Sequence, residues 1–408
     1  MAKGRTETWA ALVVVGILLI PVALLGLWGF MKATATVLHP SVADIPSATG
    51  SAPAPARTEA AERGRQLVRA ALTEQNLPGL SVAVGVGGDI VWAEGFGWAD
   101  LETRVPVAPE TLFRIGTAST PLTSAAVGLL LEQGALDLDE GIKTYVPAFE
   151  DTYAPTPPER RGTVTLRHLM ANVAGVPNDG DEAGLYTRHC ARPVDALQYF
   201  SGYERELLFT PGSDYYYSSY GWIAVSAAVE TAAGEPFLTF MQRRIFEPLG
   251  MRSTTPESAA RRIPNRATFY FPRFAADPRY GLHGMRPLDY SCFAGASAFL
   301  STPSDLVRFG MAVNGGALLK PATVQLLQTP QRLTSGEETG YGLGWDVEHV
   351  TLAGMQTHWV GHEGTTLGGM AASLMTFPGR GIVVAVMSNI SYADTETLAL
   401  KIAEAFTN

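Results

Sequence analysis

The chain has 408 residues, 46% hydrophobic and 17% charged, enough length and apolar content for a large buried core. Its formal charge of −9 argues against nucleic acid as a partner, because phosphate binding needs clustered Lys and Arg. Lysine is scarce: Lys3, Lys32, Lys143, Lys320 and Lys401 are all there are.

The amino terminus opens with "WAALVVVGILLIPVALLGLWGFM", Trp9 to Met31, which carries no charge. At ~1.5 Å per residue such a run is long enough to cross a bilayer. Lys3 and Arg5 precede it, which favours a cytoplasmic amino terminus and an extracytoplasmic body. The run exceeds a usual signal-peptide core, so residues 1–32 are expected to form an uncleaved single-pass transmembrane anchor. A signal peptide cut near Ala33-Thr34-Ala35 is the competing reading. Residues 33–58, rich in Ala, Pro, Ser and Thr, read as an extended linker.

From Glu59 the pattern turns helical, with Leu67, Ala70 and Ala71 on one face, until Pro78-Gly79 stops it. "LSVAVGVG" and "DIVWAEGFGWAD" follow as two strand-like arms meeting at a Gly-rich turn. Gly85, Gly87 and Gly88 resemble a dinucleotide loop only superficially, since no helix follows them. Helical stretches alternate with long loops from about Pro121 to Leu249. "GLGWDVEHV", "MAASLMTFP" and "GIVVAVMSN" then return to strands, and the helix "TETLALKIAEAF" closes the chain. Strands at both ends with helices between imply one α/β (α+β type) body over 59–408. Its sheet is assembled from the two ends and flanked by helices, with an inserted helical domain at about 121–290. Cys190 and Cys292 leave two arrangements open, a pair of buried thiols or one disulfide.

One segment looks built for chemistry. In "FRIGTASTPLT" a small polar loop, Gly116–Thr120, leads into a helix expected from Pro121 to Gln133, with Gly134 beyond its end. A hydroxyl at a helix start lies beside unpaired N–H groups and the positive end of the dipole, which favours an oxyanion. A base three residues on would lie one turn away, yet that position holds Thr120.

The ordered landmarks resemble the serine β-lactamase-like and penicillin-binding family, in particular its class C β-lactamase and esterase branch. They are the opening hairpin, "FRIGTASTPLT", "VTLRHLMANVAGVP", "FTPGSDYYYSSYGW", "AGASAFLSTPSDLVRFG", "YGLGW" and "GHEGTTLGG". The resemblance implies a β-lactamase/transpeptidase-like antiparallel sheet flanked by helices. It also implies an acyl-enzyme mechanism in which a serine attacks while a lysine and a tyrosine manage protons. The family's Ser-x-x-Lys falls on Thr117 and Thr120, its Tyr-x-Asn-type element on Tyr217, Ser218 and Ser219, and its Lys-Thr-Gly-like strand on His362, Glu363 and Gly364. Glu363 and Gly364 are thereby placed as ligand-binding positions, with the Glu363 carboxylate expected to repel an anionic substrate. In "ANVAG", Ala171 to Ala174 depart from the residues usual in relatives, Asn172 among them.

The expectation is a degenerate centre of Thr117, Thr120, Tyr217, Ser219 and His362 that binds rather than cleaves, with a peptide, a cell-wall fragment or a protein partner in a membrane assembly. The alternative is a live hydrolase of esters, amides or peptides through an acyl-enzyme on Thr117, with Tyr217 or His362 as base. No cofactor is implied. No metal is expected either: His358 and His362 lie four apart, but the strand-like pattern and Gly361 and Gly364 argue against the helix a metal pair would need. Asn389-Ile390-Ser391 is a glycosylation sequon only in a host that glycosylates.

Overall fold

The structure is a computed structural model and describes residues 19–153, 156–178, 185–199, 206–258, 262–275, 277–286, 288–366 and 368–407. Its centre is an antiparallel sheet drawn from both ends of the chain. Ser47–Ser51 (β1), Gly79–Val86 (β2) and Asp89–Asp100 (β3) come from the first part, and Asp346–Leu352 (β4), Met355–Thr366 (β5), Met370–Phe377 (β6) and Ile382–Ser388 (β7) from the last. The strand order is β1-β3-β2-β7-β6-β5-β4, with Val105–Pro106 pairing beside β3. The two ends of the chain meet where β2 pairs with β7. The expected Gly-rich hairpin is present, turning through Gly87 (φ +62°) and Gly88 (φ +98°), a backbone that side chains other than glycine's rarely adopt.

The longer helices among the described residues are Thr58–Glu74 (α1), Thr120–Glu132 (α2), Ser219–Ala233 (α3), Pro303–Asn314 (α4) and Thr395–Thr407 (α5). Side chains alternate across each strand, so the sheet buries two faces. One face, with Trp92, Phe96, Val84, Trp359, Met375 and Val386, packs under α1 and α5, where Trp92 stacks on Phe406 at 6.0 Å. The other, with Ala83, Ala93, Val360, Leu374 and Ala385, packs against the helical half of the molecule. Helix α2 is buried on nearly every side from Thr120 to Leu130, which explains why its sequence is apolar all round rather than striped.

One expectation needs revision, and two open readings gain a structural answer. Residues 33–58 are not a free tether: β1 pairs with β3 at the sheet edge, and His39 is buried with Nε2 2.8 Å from the Leu77 carbonyl. Small polar residues satisfy their backbone groups at a sheet edge without large side chains, so composition alone suggested a linker. Cys190 and Cys292 are joined by a disulfide, which decides between the two arrangements left open. Asn389 of the sequon is fully buried and donates from Nδ2 to the Trp98 and Thr268 carbonyls at 3.2 and 3.0 Å.

Residues 19–33 are helical, and their apolar side chains from Leu19 to Phe30 stand exposed. No helix among the described residues is long and apolar enough to cross a membrane. The first part of the expected span, residues 9–18, lies outside the described residues.

Candidate functional site

Residues Gly116–Ser119 form one 3-10 turn that runs directly into α2, so Thr117 sits where the sequence places it, at a helix start against the sheet. Its hydroxyl donates to the Glu363 carbonyl of β5 at 2.8 Å. Thr120 is fully buried, and its hydroxyl donates to the Thr117 carbonyl at 3.0 Å, a local back-bond typical of threonine near a helix start. Arg114, just upstream, is held in a buried ion pair with Glu257 at 2.6 and 2.9 Å and donates to the Gly368 carbonyl at 2.6 Å. That cation is engaged structurally, stacked between Phe269 and Tyr290.

β5 closes the site from the other side. His362 is buried on the face toward Thr117, with Nε2 3.0 Å from the Tyr341 hydroxyl and Nδ1 3.8 Å from an Asp346 carboxylate oxygen. The rings of Tyr217, Tyr341 and His362 meet edge to face at 5.7 to 6.2 Å. Gly364 is required here: an added Cβ would lie 2.1 Å from the Ile115 carbonyl, within the turn that carries Thr117.

Glu363 departs from its expected role. It stands opposite Ser373 on β6, on the face covered by α5, and accepts from the Ser373 hydroxyl at 3.4 Å. Ser373 in turn meets the Thr395 hydroxyl of α5 at 2.7 Å. Its carboxylate therefore points away from Thr117 and screens nothing from it; only its carbonyl belongs to the site. Burial, then Glu396 and Asp346, push its carboxyl up to about 7. The cause is strand alternation, which sends neighbours in sequence to opposite faces.

The Tyr217 loop is held from below. Ser218 caps α3 by accepting from the Gly221 N–H at 3.1 Å, and the Ser219 N–H donates to Asn178 Oδ1 at 3.0 Å. Ser219 thus opens a helix, and Tyr217 is the member of that element whose hydroxyl reaches the Thr117 and Thr120 hydroxyls. Asn172, at φ +59°, accepts from Tyr216 N–H on its carbonyl at 2.9 Å and from Ser218 N–H on Oδ1 at 3.1 Å. Sequence reading marked Asn172 only as a departure from relatives and gave Tyr341 and Asp346 no role. The signal for Tyr341 lay in "YGLGW", whose Trp345 and Leu343 both bond Ser124 of α2, fixing Tyr341 over the site.

The electrostatics run against nucleophile activation. Burial first, then Asp346 and Tyr215, push the Tyr217 hydroxyl well above its ordinary range, with only the Thr117 and Thr120 hydroxyls opposing. Tyr341 is raised in the same way by burial, Tyr217 and Asp346. The Tyr217 hydroxyl is buried without a hydrogen bond of good geometry. Among the described residues, no lysine or arginine nitrogen bonds Thr117, Thr120 or Tyr217. Two sizeable cavities, of about 660 and 270 Å³, lie elsewhere, and neither is lined by Thr117, Tyr217 or His362.

An antiparallel sheet built from both chain ends, with a hydroxyl at a buried helix start facing a His-x-Gly strand, defines a β-lactamase-like α/β fold. The chain belongs to the Beta-lactamase family, whose model matches residues 65–407. It is similar to the human serine beta-lactamase-like protein LACTB, mitochondrial, at 28% identity over 446 aligned positions, covering 85% of this chain and 80% of that protein. Penicillin-binding protein 4* of Bacillus subtilis (strain 168) is 24% identical, covering 79% of this chain and 71% of that protein. Among solved structures, the octameric penicillin-binding protein homologue from Pyrococcus abyssi superposes with a TM-score of 0.69 at 22% identity, covering 85% of this chain and 76% of that one. The expected antiparallel sheet flanked by helices is thus the fold.

Proposed function

We propose that this chain is a membrane-anchored, extracytoplasmic β-lactamase-like protein whose catalytic centre is degenerate and which acts by binding. Its ligand is a peptide or cell-wall fragment, or a protein partner in a membrane assembly. One observation carries this reading: where the family pattern calls for a serine beside a lysine, the Thr117 hydroxyl donates a hydrogen bond to the Glu363 carbonyl and the Thr120 hydroxyl donates to the Thr117 carbonyl. Tyr217, the remaining candidate base, is pushed up rather than down. A lost general base costs ~10²–10⁴-fold in rate, and disabling a catalytic unit as a whole costs ~10⁶-fold.

Two further features support the setting. The uncharged run from Trp9 to Met31 follows Lys3 and Arg5, and its described part is helical with exposed apolar side chains. The disulfide suits an oxidising compartment.

The full chain, purified in mild detergent, is assayed with a p-nitrophenyl ester and a chromogenic β-lactam. The reading expects turnover equal to that of Thr117→Ala, and gain of turnover on changing Thr117→Ser together with Thr120→Lys. Wild-type turnover abolished by Thr117→Ala would instead assign an acyl-enzyme hydrolase. Deleting residues 1–32 is expected to move the protein from the membrane fraction to the soluble fraction; retention on membranes would refute the anchor.

A further inference from the structure

We propose that His349 and His358 form a binding pair for a divalent transition-metal ion at the exposed edge of the sheet, a site independent of the Thr117 centre. The two histidines lie directly opposite each other in the β4–β5 ladder, so their side chains leave the same face of neighbouring strands. Their ring centroids are 6.1 Å apart, with ring planes inclined at 60°. An ion ~2.1 Å from one nitrogen of each ring places the ring centres ~3.2 Å from it, so the pair spans up to ~6.4 Å across the metal. The observed spacing falls inside that span, and β4 is an edge strand, so side-chain rotation alone completes the chelate.

The surroundings favour a cation. From Asp346 to Thr366 the hairpin contains no lysine or arginine, so neither strand sets a fixed positive charge against a bound ion. His349 is exposed and His358 half-buried, which leaves room for water to fill the remaining coordination positions. Beside the pair on the same face stand Thr351 and Gln356, joined by a hydrogen bond of 2.8 Å. Imidazole pairs with open positions suit Zn²⁺, Ni²⁺ and Cu²⁺, with Cu²⁺ bound most tightly.

His362, the partner that sequence spacing suggested for His358, is excluded as a ligand of this ion. Four residues along a strand separate them by ~14 Å, and His362 Nε2 is engaged with Tyr341. A bound ion would staple β4 to β5, the strand whose Glu363 carbonyl holds Thr117.

The test titrates the metal-free full chain, in mild detergent, with NiCl₂ by calorimetry, alongside His349→Asn, His358→Asn and the double variant. Losing either ligand is expected to weaken binding ~10-fold or more, and the double variant to bind no more weakly than the singles, since one ligand lost already destroys the chelate. Nickel is also expected to raise the melting temperature of wild type alone. Wild-type binding no tighter than that of the double variant, or singles that keep wild-type affinity, would overturn the proposal. Both positions face out from an edge hairpin, and far-UV circular dichroism of each variant verifies folding before titration.

Discussion

On the front of β5, His362 and Gly364 press against Tyr341 and the Thr117 turn. On its back, the residue between them, Glu363, lies against Ser373 and α5. The front is crowded to the limit of backbone contact and makes its hydrogen bonds among hydroxyls, a histidine and carbonyls, with the Asp346 carboxylate beside His362. The back gathers carboxylates around a half-buried glutamate. One strand thus separates a close-packed site from an acidic seam, and the Glu363 peptide joins them: its carbonyl serves the front while its carboxyl titrates behind. Motif reading joined His362, Glu363 and Gly364 into one functional unit; the pleat divides them.

The comparison breaks most severely at Gly364. Its missing Cβ leaves 2.1 Å to the Ile115 carbonyl, a backbone atom that cannot rotate aside. Gly364→Ala is expected to cost ~3 kcal/mol, the upper end of overpacking penalties, and to displace the Thr117 turn. Urea unfolding measures it. A loss no larger than that of an exposed glycine such as Gly379, which has nothing within 4 Å and no left-handed backbone, would mean the front is loosely packed.

A smaller effect probes the bond across the front. Thr117→Val keeps the shape and removes the donor to the Glu363 carbonyl, and is expected to cost ~0.5–1.5 kcal/mol. If the hydroxyl were instead held ready for attack, the substitution would leave stability unchanged and abolish turnover.

Much of this was legible beforehand because it is periodic. The β2–β3 hairpin, the helix expected from Pro121 and found from Thr120, and the strands β4, β6 and β7 follow apolar alternation, turn glycines and helix signals that act over a few residues. Three things were not legible, each for a physical reason. β1 binds through its backbone at a sheet edge, and its small side chains left no pattern. The pairing of His349 with His358 depends on cross-strand register, which local spacing does not encode. The lining role of Tyr341 depends on "YGLGW" being tied to α2 through Ser124, a contact between segments far apart in the chain. Glu363 was different: strand alternation could have placed it on the back, but the motif drew attention to the front.

The acidic seam yields the subtlest effect, a dependence on pH. Burial, then Glu396, then Asp346 raise the Glu363 carboxyl from its ordinary 4.5 to about 7, while the Ser373 hydroxyl opposes them. The folded chain therefore holds this proton more tightly than the unfolded chain does. The stability it contributes is complete below pH 4.5 and is lost as pH rises through about 7. Glu363→Gln cannot lose a proton, so wild type is expected to fall relative to this variant between pH 5 and pH 8. Half-burial and solvent screening keep the change modest. Glu348 is raised too, by burial first and then by Glu396 and Asp346, and slopes the same way; because both proteins share it, the difference between their melting temperatures isolates Glu363. A difference that stays constant across that range would place the Glu363 carboxyl in water, away from Glu396, and the separation of a close-packed front from an acidic back would fail.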